Sequence, residues 1–268
     1  MNSKSLALQS RALALKLVSR AHSSHIGSAL SIIDILSVLY SDILNISRKR
    51  TTDLDRDRFI LSKGHACSAL YAILGLKGFF KIDDLESFGQ NGSKFMAHAS
   101  HGVNGVEFST GSLGHGLPFG AGKALAAKIA NRSWRTYVLL SDGEIQEGSN
   151  WEAIMFAGHH KLNNLISIID SNNLQSLETV ETTLSIQPLR EKFEAFQWNV
   201  IETNGHDHDS LAQAFNCAMK ETNKPTCVIA ETIKGKGVSF MENSVEWHYK
   251  SPNELQLRQA LDELGVVQ

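Results

Sequence analysis

The stretch "SDGEIQEGSNWEAIMFAGHHKLNNLISIIDSNN", residues 141–173, decides the fold. It opens on an acid in a glycine turn, Asp142-Gly143, and closes on Asp170, Asn172 and Asn173. Between these ends "SNWEAIMFAGHHKL" reads as a helix and "LISII" as a short, fully apolar run of buried-strand length. The run "TYVLL" just before Ser141 reads the same way. The unit is therefore strand–helix–strand, with oxygen-bearing side chains at the carboxyl end of both strands.

The same alternation extends outward. Phe59, Ile60 and Leu61 form a short buried strand that leads into a turn, Ser62-Lys63-Gly64-His65, and an apolar helix. After residue 173 come helix "LREKFEAFQ", strand "WNVIET", helix "DSLAQAFNCAMK" and strand "PTCVIAET". Ahead of these, residues 3–20 carry Leu6, Leu13, Leu17 and Val18 at helical spacing, and "SSHIGSALSIIDILSVLYSDIL" is a polar turn followed by an apolar helix. Apolar strands alternating with helices predict an α/β fold: a doubly wound, mostly parallel sheet with helices on both faces. With no internal repeat and no Pro-, Gly- or Ser-rich linker, residues 1–268 read as a single domain. From about residue 234 it has an irregular tail, closed by a helix over 253–264.

Composition narrows the function. Of 268 residues, 42% are hydrophobic and 20% charged, with a net charge of −2 and no long basic run, which argues against a nucleic-acid surface. No uninterrupted apolar stretch of signal-peptide or membrane-span length is evident, and the three cysteines lack metal-ligand spacing, so a cytoplasmic chain with no membrane partner is expected.

In a doubly wound sheet, ligands bind beyond the carboxyl ends of the strands. Asp142, Asp170 and Asn172 lie there, and if the two strands are neighbours their oxygens converge. One carboxylate, an amide oxygen and a backbone carbonyl form an incomplete shell that suits Mg²⁺, with phosphate and water completing it. The same residues also occur as plain turn formers. "GSLGHG", residues 111–116, precedes a helix and offers backbone N–H groups to a phosphate, although no dinucleotide fingerprint frames it. Eleven histidines are present, and His25, His65, His98, His101, His115 and His248 sit in turns rich in Gly, Ser or Asn. Converging, they would suit sugar or phosphate recognition and proton transfer near neutral pH. None has zinc spacing. Glu144, Glu147 and Glu152 follow Asp142 closely and either complement a helix dipole or act at a contact between chains.

The opening stretch resembles the thiamine diphosphate motif, Gly-Asp-Gly followed some thirty residues later by Asn-Asn, here Ser141-Asp142-Gly143 through Asn172-Asn173. "SKGHACSALYAIL", "GVEFSTGSLGHGLPFGAGKALA" and "TIKGKGVSFMENSVEWHYKSPNEL" resemble transketolase segments, in that family's order. The chain looks like the diphosphate-binding half of a transketolase. The resemblance implies that Asp142, Asn172 and the Leu174 carbonyl bind Mg²⁺, with Ca²⁺ or Mn²⁺ as substitutes. It places Gly111, Gly114, Gly143, His65 and His248 along the diphosphate of thiamine diphosphate and Leu113 beside its rings. His25, His65, His98 and His248 fall around the reacting carbon, and Glu147 and Glu152 match acids that link paired sites across a dimer interface.

The same resemblance implies a missing part, because the family's cofactor-activating glutamate belongs to a separate pyrimidine-binding domain. A partner chain carrying that domain is expected, in a heterotetramer of two plus two chains that transfers a two-carbon ketol unit between sugar phosphates. The alternatives are a transketolase-like subunit for a specialised sugar, or a non-catalytic cofactor-binding subunit. Four departures from the family pattern bear on loop shape: Ser24 and Ile26 replace glycine and proline, Ala99 and Asn104 each replace proline. A fifth, Ser141 for the first glycine of the metal motif, requires a negative φ.

Overall fold

The computed structural model describes residues 1–49 and 51–266; the last two positions of the predicted domain, 267 and 268, lie outside them. Five strands, β1 (Arg58–Leu61), β2 (Thr136–Ser141), β3 (Leu165–Ser171), β4 (Asn199–Asn204) and β5 (Thr226–Glu231), form one parallel sheet in the order β1-β2-β3-β5-β4. β1 and all but the last residue of β2, β3 and β5 are buried, as a parallel sheet covered on both faces requires.

Successive strand residues point to opposite faces, and the two faces build two cores. Phe59, Leu61, Tyr137, Leu139, Ile166 and Val228 pack under α1 (Ser3–Arg20), α2 (Ile26–Val38), α3 (Cys67–Leu76) and α8 (His208–Lys220). Ile60, Val138, Leu140, Leu165, Ile169 and Ile229 pack under α4 (Gly116–Ile129), α5 (Gly148–His159) and α7 (Leu189–Ala195). Two helices, the short α6 (Val180–Leu184) and the terminal α9 (Glu254–Glu263), complete the set. The terminal helix is shorter by one residue at each end than its sequence pattern predicts; its Asn253 cap closes a capping box with Gln256.

The run Ile26–Ile43 has the length and hydropathy of a membrane span, yet 83% of it is buried inside the structure, since it is the helix at the centre of the first core. Its one acid within α2, Asp34, accepts both Arg11 guanidinium nitrogens and the rings of His206 and His208. The Ile233 amide donates to His206 Nε2 at 2.7 Å, so the proton of that ring sits on Nδ1 and is donated to Asp34. Burial alone would raise the Asp34 carboxyl; the two histidines and Arg11 outweigh it and hold it well below the usual range. One acid thereby joins α1, α2 and the β4–α8 turn.

Candidate active site

β2 and β3 are neighbours, with Ser141 in register with Asp170, so the two ends of residues 141–173 meet. The Asp142 carboxylate accepts backbone N–H groups from Gly143 (2.8 Å), Asn172 (2.9 Å) and Asn173 (2.6 Å). Burial and the neighbouring Asp170 raise it to about 6. Asn172 donates its amide to Asp170 Oδ2 at 3.1 Å, which fixes its oxygen toward the Leu174 N–H, 3.1 Å away. Asn173 takes φ = 60°, a conformation asparagine tolerates, while Ser141 keeps a negative φ as its position required. Among the described residues no three His, Cys, Asp or Glu side chains converge as a metal site. The Asp142, Asn172 and Leu174 set has another character: hard oxygens of one carboxylate, one amide and one carbonyl. It fits a six-coordinate cation completed by phosphate and water.

Asp170 itself is not a free oxygen donor. It is fully buried and accepts from Lys63 Nζ, Ser31 Oγ (2.7 Å), Thr232 Oγ1 and Asn172 Nδ2. Against burial, which would raise it, Lys63 and these hydrogen bonds hold its carboxyl low. Lys63 and Lys234 were not marked by sequence reasoning, because a lysine in a loop ordinarily reads as solvated. Both are almost fully buried at the cavity. Lys234 Nζ donates to the carbonyls of Leu174 (3.3 Å) and Gln175 (2.7 Å), and burial and Lys63 push it down to about 8. The signal available was position: Lys63 follows β1 and Lys234 follows β5, both at the carboxyl edge of the sheet.

Glu144, read from sequence as a dipole complement or a group at a contact between chains, is buried within its own chain. Its Oε1 accepts from Ser62 Oγ at 2.5 Å and from the Gly114 N–H at 3.0 Å, joining three turns of the site. The Gly114 amide is thus turned toward Glu144, and the Gly116 amide donates to Ser62 Oγ at 3.1 Å. A Cβ at Gly116 would lie 2.2 Å from that oxygen, so only glycine permits the approach. Gly111, Leu113 and Gly143 do reach the cavity, of about 270 Å³, into which Lys63 and Lys234 also project. Glu147 and Glu152 are exposed and lie outside it.

Four histidines come together there. The His25 ring lies 5.0 Å from those of His65 and His248 and 5.7 Å from that of His98. His101 and His115 are exposed and do not line the cavity. His25 holds φ = 76°, a left-handed conformation uncommon for histidine, fixed by its N–H bond to the His248 carbonyl at 2.7 Å. Burial first, then His98 and the two lysines, push His25 down to about 4; burial and Lys234 push His248 to about 3. All four are lowered, so at neutral pH the rings are uncharged and each keeps one nitrogen able to accept a hydrogen bond. Lys234 Nζ, a donor only, lies 3.0 Å from His248 Nδ1, which places that ring's proton on Nε2.

A pH dependence follows from His25. Its folded value lies below the unfolded 6.5, so between pH 6.5 and 4 the unfolded chain binds a proton that the folded chain refuses, and stability is lost as the pH falls through that interval. A His25→Asn chain, which retains a residue tolerant of positive φ, should lose less stability over that interval than the parent. Denaturant titrations at several pH values check this; identical slopes would remove His25 from the acid response.

The fold is of the α/β class, a parallel sheet with oxygen-bearing side chains at its carboxyl edge beside two buried lysines and four uncharged imidazoles. The model of the family described as "Transketolase, thiamine diphosphate binding domain" matches residues 2–267, and the chain belongs to that family. It is 40% identical over 268 residues to an apulose-4-phosphate transketolase subunit from Phocaeicola vulgatus, covering 99% of this chain and 95% of that one. It is 36% identical over 255 residues to a 6-deoxy-6-sulfo-D-fructose transketolase subunit from a Clostridium species, covering 95% and 93%. The transketolase structure from Campylobacter jejuni superimposes with a TM-score of 0.93 at 37% identity, covering 99% of this chain and 43% of that one. The chain thus spans about two-fifths of the length of the transketolase structures it matches.

Proposed function

We propose that this chain is the diphosphate-side subunit of a two-chain transketolase. Asp142, Asn172 and the Leu174 carbonyl hold Mg²⁺, and Lys234, Gly111 and His65 take the diphosphate. A partner chain brings the pyrimidine-binding domain and its glutamate, two of each forming the assembly. The reaction is transfer of a two-carbon ketol unit from a ketose phosphate to an aldose, in the cytoplasm.

One observation carries the reading. No Asp or Glu is among the described residues lining the cavity, although the chemistry needs a carboxylate at the cofactor's pyrimidine. On this reading the cavity offers Asn172 and Leu174 to the cation and histidines to the substrate, and the activating acid comes from a second chain. The names of two relatives that this chain matches over nearly their whole length call each a subunit, which supports the same division.

Bound thiamine diphosphate supplies the electron sink for carbon–carbon cleavage. The chain's own residues do the rest. Lys234 and the Asp142 set would hold the diphosphate end, leaving the histidines to position the substrate. The uncharged His25, His65 and His98 rings accept hydroxyl protons and return them, and His248 Nε2–H donates. A second reading, a sugar outside central metabolism, is favoured by the two relatives, whose names carry apulose-4-phosphate and 6-deoxy-6-sulfo-D-fructose.

Native mass spectrometry of the tagged chain from its own cells, in thiamine diphosphate and Mg²⁺, tests the reading. The expected result is a complex with a second polypeptide that carries cofactor mass and transfers ketol units. A monomer or homodimer without cofactor, from cells where the protein is active, would overturn it. A non-catalytic subunit would instead give a complex whose turnover is indifferent to His65→Ala or His98→Ala.

A further inference from the structure

The turn "SSHIG", residues 23–27, is stitched to the chain around His248. His25 N–H donates to the His248 carbonyl at 2.7 Å, and Ser24 Oγ donates to the Tyr249 carbonyl at 3.0 Å. A Cβ at Gly27 would stand only 3.2 Å from the Trp247 carbonyl, so the two segments cannot be packed closer with a larger residue there. The backbone of His248 and Tyr249 is therefore tied to the turn that carries His25.

Tyr249 lines that cavity. Its ring centroid is 4.9 Å from that of His248 and 6.1 Å from that of His25, yet the residue is 56% exposed. No side-chain hydrogen bond of the described residues uses its hydroxyl. A half-exposed aromatic ring set edge-wise or tilted against two imidazoles at the cavity mouth offers an apolar surface and a hydroxyl, which suits a ligand with apolar C–H faces and hydroxyl edges, as a sugar has.

We propose that Tyr249 is a specificity-determining residue. Its ring is the outer wall of the sugar site, against which the carbons beyond the reacting end of the ketose lie, so that short ketose phosphates are preferred over long ones. Ser24 is a positioning residue that holds this wall through the Tyr249 carbonyl. The inference rests on the ketol-transfer reading of the site.

The test uses the complex assembled with the partner chain, with xylulose 5-phosphate and sedoheptulose 7-phosphate as donors. Tyr249→Gly should shift the ratio of kcat/KM toward the seven-carbon donor by about tenfold, mainly through KM. Tyr249→Phe keeps the ring and should keep the ratio. Ser24→Ala should move the ratio in the direction of Tyr249→Gly, but less. Thiamine diphosphate affinity, measured by fluorescence quenching, should stay within about twofold. A ratio unchanged in Tyr249→Gly overturns the proposal while leaving ketol transfer intact. A large loss of cofactor affinity would place the ring in the cofactor site and overturn it also. A parent complex that transfers from no ketose phosphate removes the functional reading and this inference together.

Discussion

Lys63→Met should destabilise the full chain by about 3–5 kcal/mol, the usual cost of removing one partner from a buried ion pair. Lys63 and Asp170 are 1% and 0% exposed, and the ammonium is the one cation bonded to that carboxylate among the described residues. Methionine fills much of the lysine stem's volume, so the loss would reflect the uncompensated charge more than a cavity. Ser31, Thr232 and Asn172 would remain as donors, but neutral hydrogen bonds do not cancel a buried charge. Urea denaturation at constant m-value measures the effect. Adding Asp170→Asn should recover part of it, because removing both charges is cheaper than removing one. A loss below about 1 kcal/mol for Lys63→Met would show that the three neutral donors suffice.

That pair also marks where sequence reasoning reaches and where it stops. The strands were legible because a parallel sheet covered on both faces demands continuous apolar runs, and "TYVLL" and "LISII" have no other ready use. The oxygen donors were legible because Asp142 and Asn172 follow those runs directly, at the edge where such folds bind ligands. Lys63 and Lys234 were not, since their burial depends on segments distant in the chain: Lys63 meets Asp170, 107 positions away, and Lys234 meets the Leu174 carbonyl, 60 positions away. The internal role of Glu144 was hidden for the same reason, although it does stand in the first turn of a short helix as its sequence position suggested. Its partners, Ser62 and Gly114, come from two other turns, so a glutamate at a helix start became an internal tie.

The departures from the family pattern have local physical uses. Ala99 donates its N–H to the Gly64 carbonyl at 3.0 Å, a bond proline cannot make, and so fastens the His98 loop to the turn that carries His65. Asn104 donates its side chain to the Phe79 carbonyl at 2.8 Å, anchoring the far end of the same loop. Ser24 bonds Tyr249, and Ile26 is fully buried in the first core. Rigidity that proline would supply through its ring is supplied here by hydrogen bonds and packing, so the histidines are held while the walls around them differ. These four residues lie in or beside the loops that carry His25 and His98 and are not among the proposed cation ligands Asp142, Asn172 and Leu174.

Asp142→Asn should separate the cofactor's contribution from the fold's. Asparagine preserves the shape and an oxygen for the Asn172 and Asn173 amides, and it loses one acceptor, for the Gly143 N–H. Without ligands the variant should therefore match the parent to within about 1 kcal/mol, helped by removing a carboxylate crowded against Asp170. With Mg²⁺ and thiamine diphosphate at a hundred times the parent's dissociation constant, the parent complex should gain about 2.7 kcal/mol of stability. The variant should gain almost none, because an amide cannot replace the charge that draws a hard divalent cation away from water. Ketol transfer should fall by about 10³-fold or more, as a cofactor without its anchoring cation is no longer held in reacting geometry. Paired denaturation curves, with and without both ligands, measure the difference. An undiminished gain in the variant would mean that Asp142, Asn172 and the Leu174 carbonyl are ordinary turn formers and that the cation sits elsewhere.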